Sequence, residues 1–328
     1  MKPNSAFSRT AGHETPRTVH RPGGRRNHTR APGDGLRRGR RLLVGSPHPR
    51  QAQEPSLFAR SRKDTPACEY VCEYVFRPLA HVLVLALLPL RVPPPFVLFA
   101  GTAAGVAAAV GLGRGDLLLA ALLLQAKTVL DNADGQLARA SGRVSVLGRY
   151  LDSESDLLVN AALFGALGYV TGRYLLALLA FLVLTLVLSV DFNLEVLYRR
   201  ERGEPVEPMP QANGVGGRLS ARIYALAYAP HDRLLERLVE GRLRRLHADR
   251  AGRLAYHDRW TLGLVANLGL STQLAALGVC LALGTPVSYL WLVLGSGAVL
   301  LPLAVRRERL ARMSMPLTEL AFDERRNA

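Results

Sequence analysis

Four aspartates carry the strongest chemical signal in this chain. Asp131 and Asp134 stand three residues apart in D-N-A-D-G-Q-L-A-R. After eight further residues, G-R-Y-L-D-S-E-S-D places Asp152 and Asp156 four apart. On helices, each spacing puts its pair on one face. The connection is short, so the two helices should run as antiparallel neighbours and bring the four carboxylates together. Carboxylates so gathered repel unless cations join them. An all-oxygen set with no thiol or imidazole nearby selects a hard ion, Mg2+ or Mn2+. Two such ions about 4 Å apart form a clamp suited to phosphoryl chemistry. Carboxylates inside a membrane would also serve a cation transporter. Glu154 faces away from the Asp152/Asp156 stripe and is not expected to be a ligand.

Other residues near the four have two readings each. Gly135 and Ala138 leave a notch in the helix wall, open to a flat group or to close helix packing. Lys127 lies one turn before Asp131 and can contact a phosphate or neutralise that carboxylate. Arg143 and Arg149 can bind a phosphate on a substrate or serve as ordinary positive charge at a membrane edge.

The elements that must position these residues are helices. The chain has 328 residues, 49% of them hydrophobic, gathered into long runs separated by arginine-rich segments. A crossing helix needs about twenty apolar residues. Six stretches qualify: 94–113, 116–135, 151–170, 174–197, 260–283 and 286–305. The fold expected is all-α, a polytopic membrane protein with six transmembrane helices. Ahead of them, residues 68–90 have an apolar run too short to span. Glu69, Glu73, Arg77 and His81 form a polar stripe there, the pattern of an amphipathic helix lying in the membrane interface.

Charge supplies orientation. Lys and Arg number 42 against 26 Asp and Glu, a net charge of +16. Such a balance suits nucleic acid or an anionic membrane surface, and the spanning-length runs decide for the membrane. No specific nucleic-acid partner is expected. The basic regions are the N-terminal segment, the 139–149 connection, the 198–259 loop and the 306–312 segment. With six spans all four fall on one side, which the positive-inside rule makes cytoplasmic, together with both termini and the aspartates.

Residues 1–66 hold fifteen Lys/Arg against four Asp/Glu and little apolar periodicity. They read as a disordered arginine-rich tail, with the membrane domain over 67–312 and a C-terminal tail over 313–328. In the 198–259 loop, 205–217 reads as flexible. Residues 218–250 carry Leu234, Leu235 and Leu238 at helical spacing, as a helix on the anionic leaflet or a solvated one. His231, His247 and His257 lack metal-ligand spacing and are expected at the surface. Three cysteines, Cys68, Cys72 and Cys280, imply no disulfide framework.

Taken together, residues 131–156 match D-x-x-D-G-x-x-A-R-x8-G-x3-D-x3-D without departure, and the chain resembles the CDP-alcohol phosphatidyltransferase family. The resemblance covers roughly 68–312 and implies transfer of a phosphatidyl group from a CDP-linked lipid, usually CDP-diacylglycerol, to an alcohol with release of CMP. It implies that Asp131, Asp134, Asp152 and Asp156 hold two metal ions, with Asp156 also the general base. It gives Gly135, Ala138, Arg139 and Gly148 to the CDP moiety, and it implies a homodimer. One departure concerns 93–98, Pro-Pro-Pro-Phe-Val-Leu, where many relatives carry a Pro-Asn pair and a following Thr. A CDP-lipid-binding protein without catalysis would be expected to lack an aspartate, and none is missing.

Overall fold

Proline at the first helical positions and side-chain caps set where most helices begin. The computed structural model describes residues 57–62, 65–205 and 229–314. Most of the 1–66 and 313–328 tails and the 206–228 part of the long loop lie outside the described residues. A short helix, α1 (Leu57–Ser61), precedes a π-helical turn, Cys72–Phe76, that runs into α2 (Arg77–Leu87). Then come α3 (Pro94–Gly113), α4 (Leu117–Ala140), α5 (Val146–Thr171) and α6 (Tyr174–Glu201). After the loop follow α7 (Ala229–Arg245), α8 (Arg250–Tyr256), α9 (Arg259–Ala266), α10 (Leu270–Ala282) and α11 (Pro286–Met313). No strand occurs among the described residues.

Among the described residues, four stretches are long and apolar enough to cross a membrane: Pro94–Gly113, Tyr174–Glu201, Arg250–Ala282 and Pro286–Met313. The helices α4 and α5, 24 and 26 residues long, have the length but carry the aspartates. Outward faces are apolar: Phe96 and Phe99 on α3, Leu175 and Leu178 on α6, and Trp291 and Leu301 on α11 are exposed. A surface so continuously apolar suits lipid tails rather than water. Inside, Leu112, Leu124, Leu163, Leu167, Leu277 and Tyr289 belong to one buried cluster joining the helices.

The helices α3, α4 and α5 pack closely because small residues line the contact. A Cβ on Gly105 would lie 2.6 Å from Val159 Cγ1 of α5 and 3.3 Å from Lys127 Cγ of α4. We expect Gly105→Ala to lower stability by about 1–3 kcal/mol through overpacking. Gly165→Ala, with nothing within 4 Å of its Cβ, should be neutral. Thermal denaturation in detergent checks the contrast, and equal effects would contradict it.

Two expectations change. The stretch 260–283 is not one helix: α9 and α10 meet at a break. Asn267 holds the break, its Nδ2 donating to the Cys68 and Gly263 carbonyls at 2.8 and 2.7 Å, and its Oδ1 accepting from the Tyr70 amide at 2.9 Å. Backbone groups freed by a broken helix need such partners. The Glu69 carboxyl group reaches the same place, beside Ser271 and the Thr272 amide at the start of α10.

Burial pushes that carboxyl group above its ordinary range. The folded chain therefore favours the protonated acid, and this stabilisation is lost as pH rises through the folded value. Glu69→Gln should raise the melting temperature near about pH 8, with the gap closing toward about pH 4. A gap constant with pH would contradict this.

The polar stripe before α3 turns onto the protein. Arg77 pairs with Glu73, its carbonyl accepts from Gln136 Nε2 at 3.1 Å, and His81 meets the Phe58 ring edge-on at 4.9 Å between centroids. The opposite face, with Tyr74, Leu79, Val82 and Leu85, is apolar and exposed. The second change is His257, expected at the surface but only 4% exposed, with its Nδ1 3.2 Å from Arg307 Nη2. His247 is exposed, and the His231 side chain lies outside the described residues. In α7, Leu234 and Leu238 are exposed while Leu243 is buried beside Tyr256 and Ala311.

Candidate active site

The sharp turn after α4 reverses the chain, and Ser145 caps α5, its Oγ accepting from the Gly148 amide at 3.0 Å. The two motif helices therefore run side by side. Oxygen atoms of Asp131, Asp152 and Asp156 lie within 4.8 Å of one another. At that separation each pair of ionised carboxylates would repel by about 3 kcal/mol at an effective dielectric constant near about 20. A cation is required, and the chain supplies one. Lys127 is 1% exposed and donates from Nζ to Asp131 Oδ1 at 3.0 Å and to Asp156 Oδ1 at 2.5 Å. Of its two readings, neutralisation is the one the contacts display, and it extends to a second carboxylate on the neighbouring helix.

One ammonium does not satisfy the whole group. Asp134 is buried, and its Oδ2 has no hydrogen-bond partner. An orphaned carboxylate oxygen beside three converging carboxylates fits a hard divalent ion. The residues present therefore suit the metal that their chemistry implies. Between the aspartates, Thr102 of α3 and Ser155 of α5 bring their hydroxyl oxygens to 2.5 Å, tying α5 to its neighbour at the level of the site.

A cavity of about 150 Å3 opens beside these groups, lined on one side by Asp131, Asp134, Gly135, Arg139 and Asp152. Five predicted residues thus share one cavity wall. Asp156 lies just behind it, joined through Lys127. A Cβ on Gly135 would come within 3.3 Å of Arg139 Nη1, so the notch at this glycine is occupied by the guanidinium of Arg139. That guanidinium also donates from Nε to the Ser61 carbonyl at 2.6 Å.

Other predicted residues stand apart from the cavity. Ala138 does not line it. Gly148 sits in the first turn of α5, where an added Cβ would meet only Ser145 Oγ at 3.0 Å. Arg143 is exposed, and Arg149 is partly buried near the start of α5. The 93–98 stretch does not reach the cavity either.

Sequence reasoning missed the rest of the lining. Phe58, Ser61, Arg62, Arg77, Asn132 and Gln136 complete the lining. Asn132 and Gln136 show the i, i+4 spacing of one helix face, and Arg77 follows Glu73 by four residues, so these signals were present. Residues 57–62 carry no motif. Cys72 joins the same region, its Sγ 3.1 Å from Asn132 Oδ1.

The comparisons with known proteins agree with this geometry. A family model described as CDP-alcohol phosphatidyltransferase matches residues 79–216, which include the whole 131–156 motif. A curated relative from Thermococcus kodakarensis, named "Bifunctional IPC transferase and DIPP synthase", is 44% identical over 71 residues. The match covers 20% of this chain and 16% of that relative. Residues 79–216, which include the four aspartates, are therefore similar to a CDP-alcohol phosphatidyltransferase domain.

Proposed function

We propose that this enzyme transfers the phosphatidyl group of CDP-diacylglycerol to a water-soluble alcohol, releasing CMP, as a step of phospholipid synthesis. The observation that carries the reading is that Asp131, Asp134 and Asp152 line one cavity with Gly135 and Arg139, while Asp156 lies within 4.8 Å of Asp131 and Asp152. The relative's printed name, a transferase and a synthase, supports transfer chemistry.

In this reading Asp156 removes the proton from the acceptor hydroxyl. The acceptor oxygen bonds to the lipid-side phosphorus as the bond from that phosphorus to the bridging oxygen breaks. CMP departs with the bridging oxygen and its electron pair, and the proton stays on Asp156 until solvent takes it. Lys127 fixes Asp156 by one oxygen, Oδ1, and keeps α5 in register with α4. Asp131, Asp134, Asp152 and Asp156 would hold two Mg2+ or Mn2+ ions. When bound, these supply positive charge to the diphosphate and the departing CMP. Arg139 contacts the nucleotide once the Ser61 carbonyl has released it, and Gly135 leaves room for the nucleotide beside it.

The proposed acceptor is a phosphorylated polyol such as glycerol 3-phosphate or inositol phosphate, a reading drawn from the arginines around the motif. The proposed setting is a cell membrane crossed six times by α3, α4, α5, α6, the α9–α10 pair and α11. The active site and both termini lie on the cytoplasmic side, and the apolar outer face of α2 rests in the interface. A homodimer is proposed on family resemblance.

The test is CMP release from CDP-diacylglycerol by purified protein in detergent, with a panel of alcohols and with or without Mg2+ or Mn2+. We expect metal-dependent release, fastest with a phosphorylated polyol. Equal or better use of phosphate-free alcohols would overturn the acceptor proposal. No release with any alcohol, together with no binding of CDP-lipid, would overturn the reaction.

A further inference from the structure

The cavity lined by the aspartates also has basic lining residues, contributed by chain outside the matched domain. Arg62 and Arg77 both line the cavity, and both precede residue 79, where the family match begins. A single carboxylate holds the two together. Arg62 Nη2 lies 2.6 Å from Glu73 Oε1, and Arg77 Nη1 pairs with the other oxygen, Oε2. The Arg77 side chain is 14% exposed and Arg62 51%, so one is seated in the wall and the other stands at the rim.

Two guanidiniums on one carboxylate leave a net positive charge and unused N–H donors, since each guanidinium carries five. A purely structural brace would need only one arginine. Neither residue is ion-paired with Asp131, Asp134 or Asp152 across the cavity. Arg77 is also fixed through its backbone, which accepts from Gln136. A preset guanidinium fork in a small polar cavity is the arrangement that recognises phosphate oxygens in pairs. We propose that Arg62 and Arg77, oriented by Glu73, form a phosphate-binding subsite of this active site. The proposal rests on the phosphatidyltransferase reading for the source of the phosphate, which is either the donor diphosphate or a phosphate on the acceptor.

The test breaks the Arg77–Glu73 pair from each side. Arg77→Gln should raise KM for the phosphate-bearing substrate about ten- to a hundredfold, the loss expected of charge-assisted hydrogen bonds, with kcat little changed. Arg77→Lys should recover part of this. Glu73→Gln, which keeps both arginines but loses the carboxylate that orients them, should raise KM by less than Arg77→Gln does. A brace predicts the opposite: Arg77→Gln and Glu73→Gln would both lower thermal stability and leave KM alone, and that result overturns the proposal. A shift confined to CDP-diacylglycerol assigns the subsite to the donor. A shift for glycerol 3-phosphate but not glycerol assigns it to the acceptor. Unchanged KM for both overturns the proposal. If Arg77→Gln does not fold, Arg62→Gln at the half-exposed rim takes its place.

A second arm does not depend on turnover. Inorganic pyrophosphate, titrated in EDTA, should stabilise the wild type and Glu73→Gln against heat but not Arg77→Gln. If the wild type neither releases CMP nor binds CDP-lipid, the reaction reading fails while this arm still decides the subsite. The same shift in wild type and Arg77→Gln, or no shift in either, overturns it.

Discussion

Asp156→Asn should reduce CMP release by about 10²–10⁴-fold, the range that general-base removal commonly produces. The substitution keeps the shape of the side chain and an oxygen for Lys127, whose second contact, to Asp131 at 3.0 Å, is untouched. Binding of CDP-diacylglycerol and the melting temperature should therefore change little, while kcat collapses. The pattern separates a chemical role from a structural one. A variant that retains more than a tenth of wild-type kcat would show that another group takes the proton.

Lys127→Met should have the largest effect on stability. The ammonium is 1% exposed and joins Asp131 on its own helix to Asp156 on α5. Breaking a buried pair by removing one partner costs about 3–5 kcal/mol, because the charges left behind have no counterion. Methionine nearly preserves the volume, so the loss is electrostatic rather than a cavity. The same carboxylates are the proposed metal ligands, so Mg2+ or Mn2+ should offset part of the deficit. In EDTA the variant should melt well below the wild type, and the divalent ion should raise its melting temperature by more than it raises that of the wild type. An equal gain in both proteins would mean that Lys127 and the ion do not serve the same charges.

The motif was legible because helical spacing is local. Asp131 with Asp134, and Asp152 with Asp156, share faces by periodicity alone, and a short connection allows their helices only one arrangement. The structure brings Asp131, Asp152 and Asp156 within 4.8 Å. The end of α5 was equally local: Gly172 takes φ 65°, a left-handed cap that glycine adopts without strain. The α9–α10 break was harder to see, because hydropathy over 260–283 is continuous and does not register which backbone amides lack partners. Asn267 matters there only because Cys68 and Tyr70, some two hundred residues earlier, come within hydrogen-bond reach.

Sequence alone determined the helical class, the family resemblance and the acidic centre, since each depends on residue type and spacing along one or two helices. Tertiary structure decided the rest. It gave Lys127 its second carboxylate, buried His257 against Arg307, turned the Glu73/Arg77 stripe inward, and set Ser61 and Arg62 over the motif helix. Those contacts join residues distant in sequence. No local periodicity encodes them, because they arise only when packed helices fix which faces meet and which polar groups must find partners away from water.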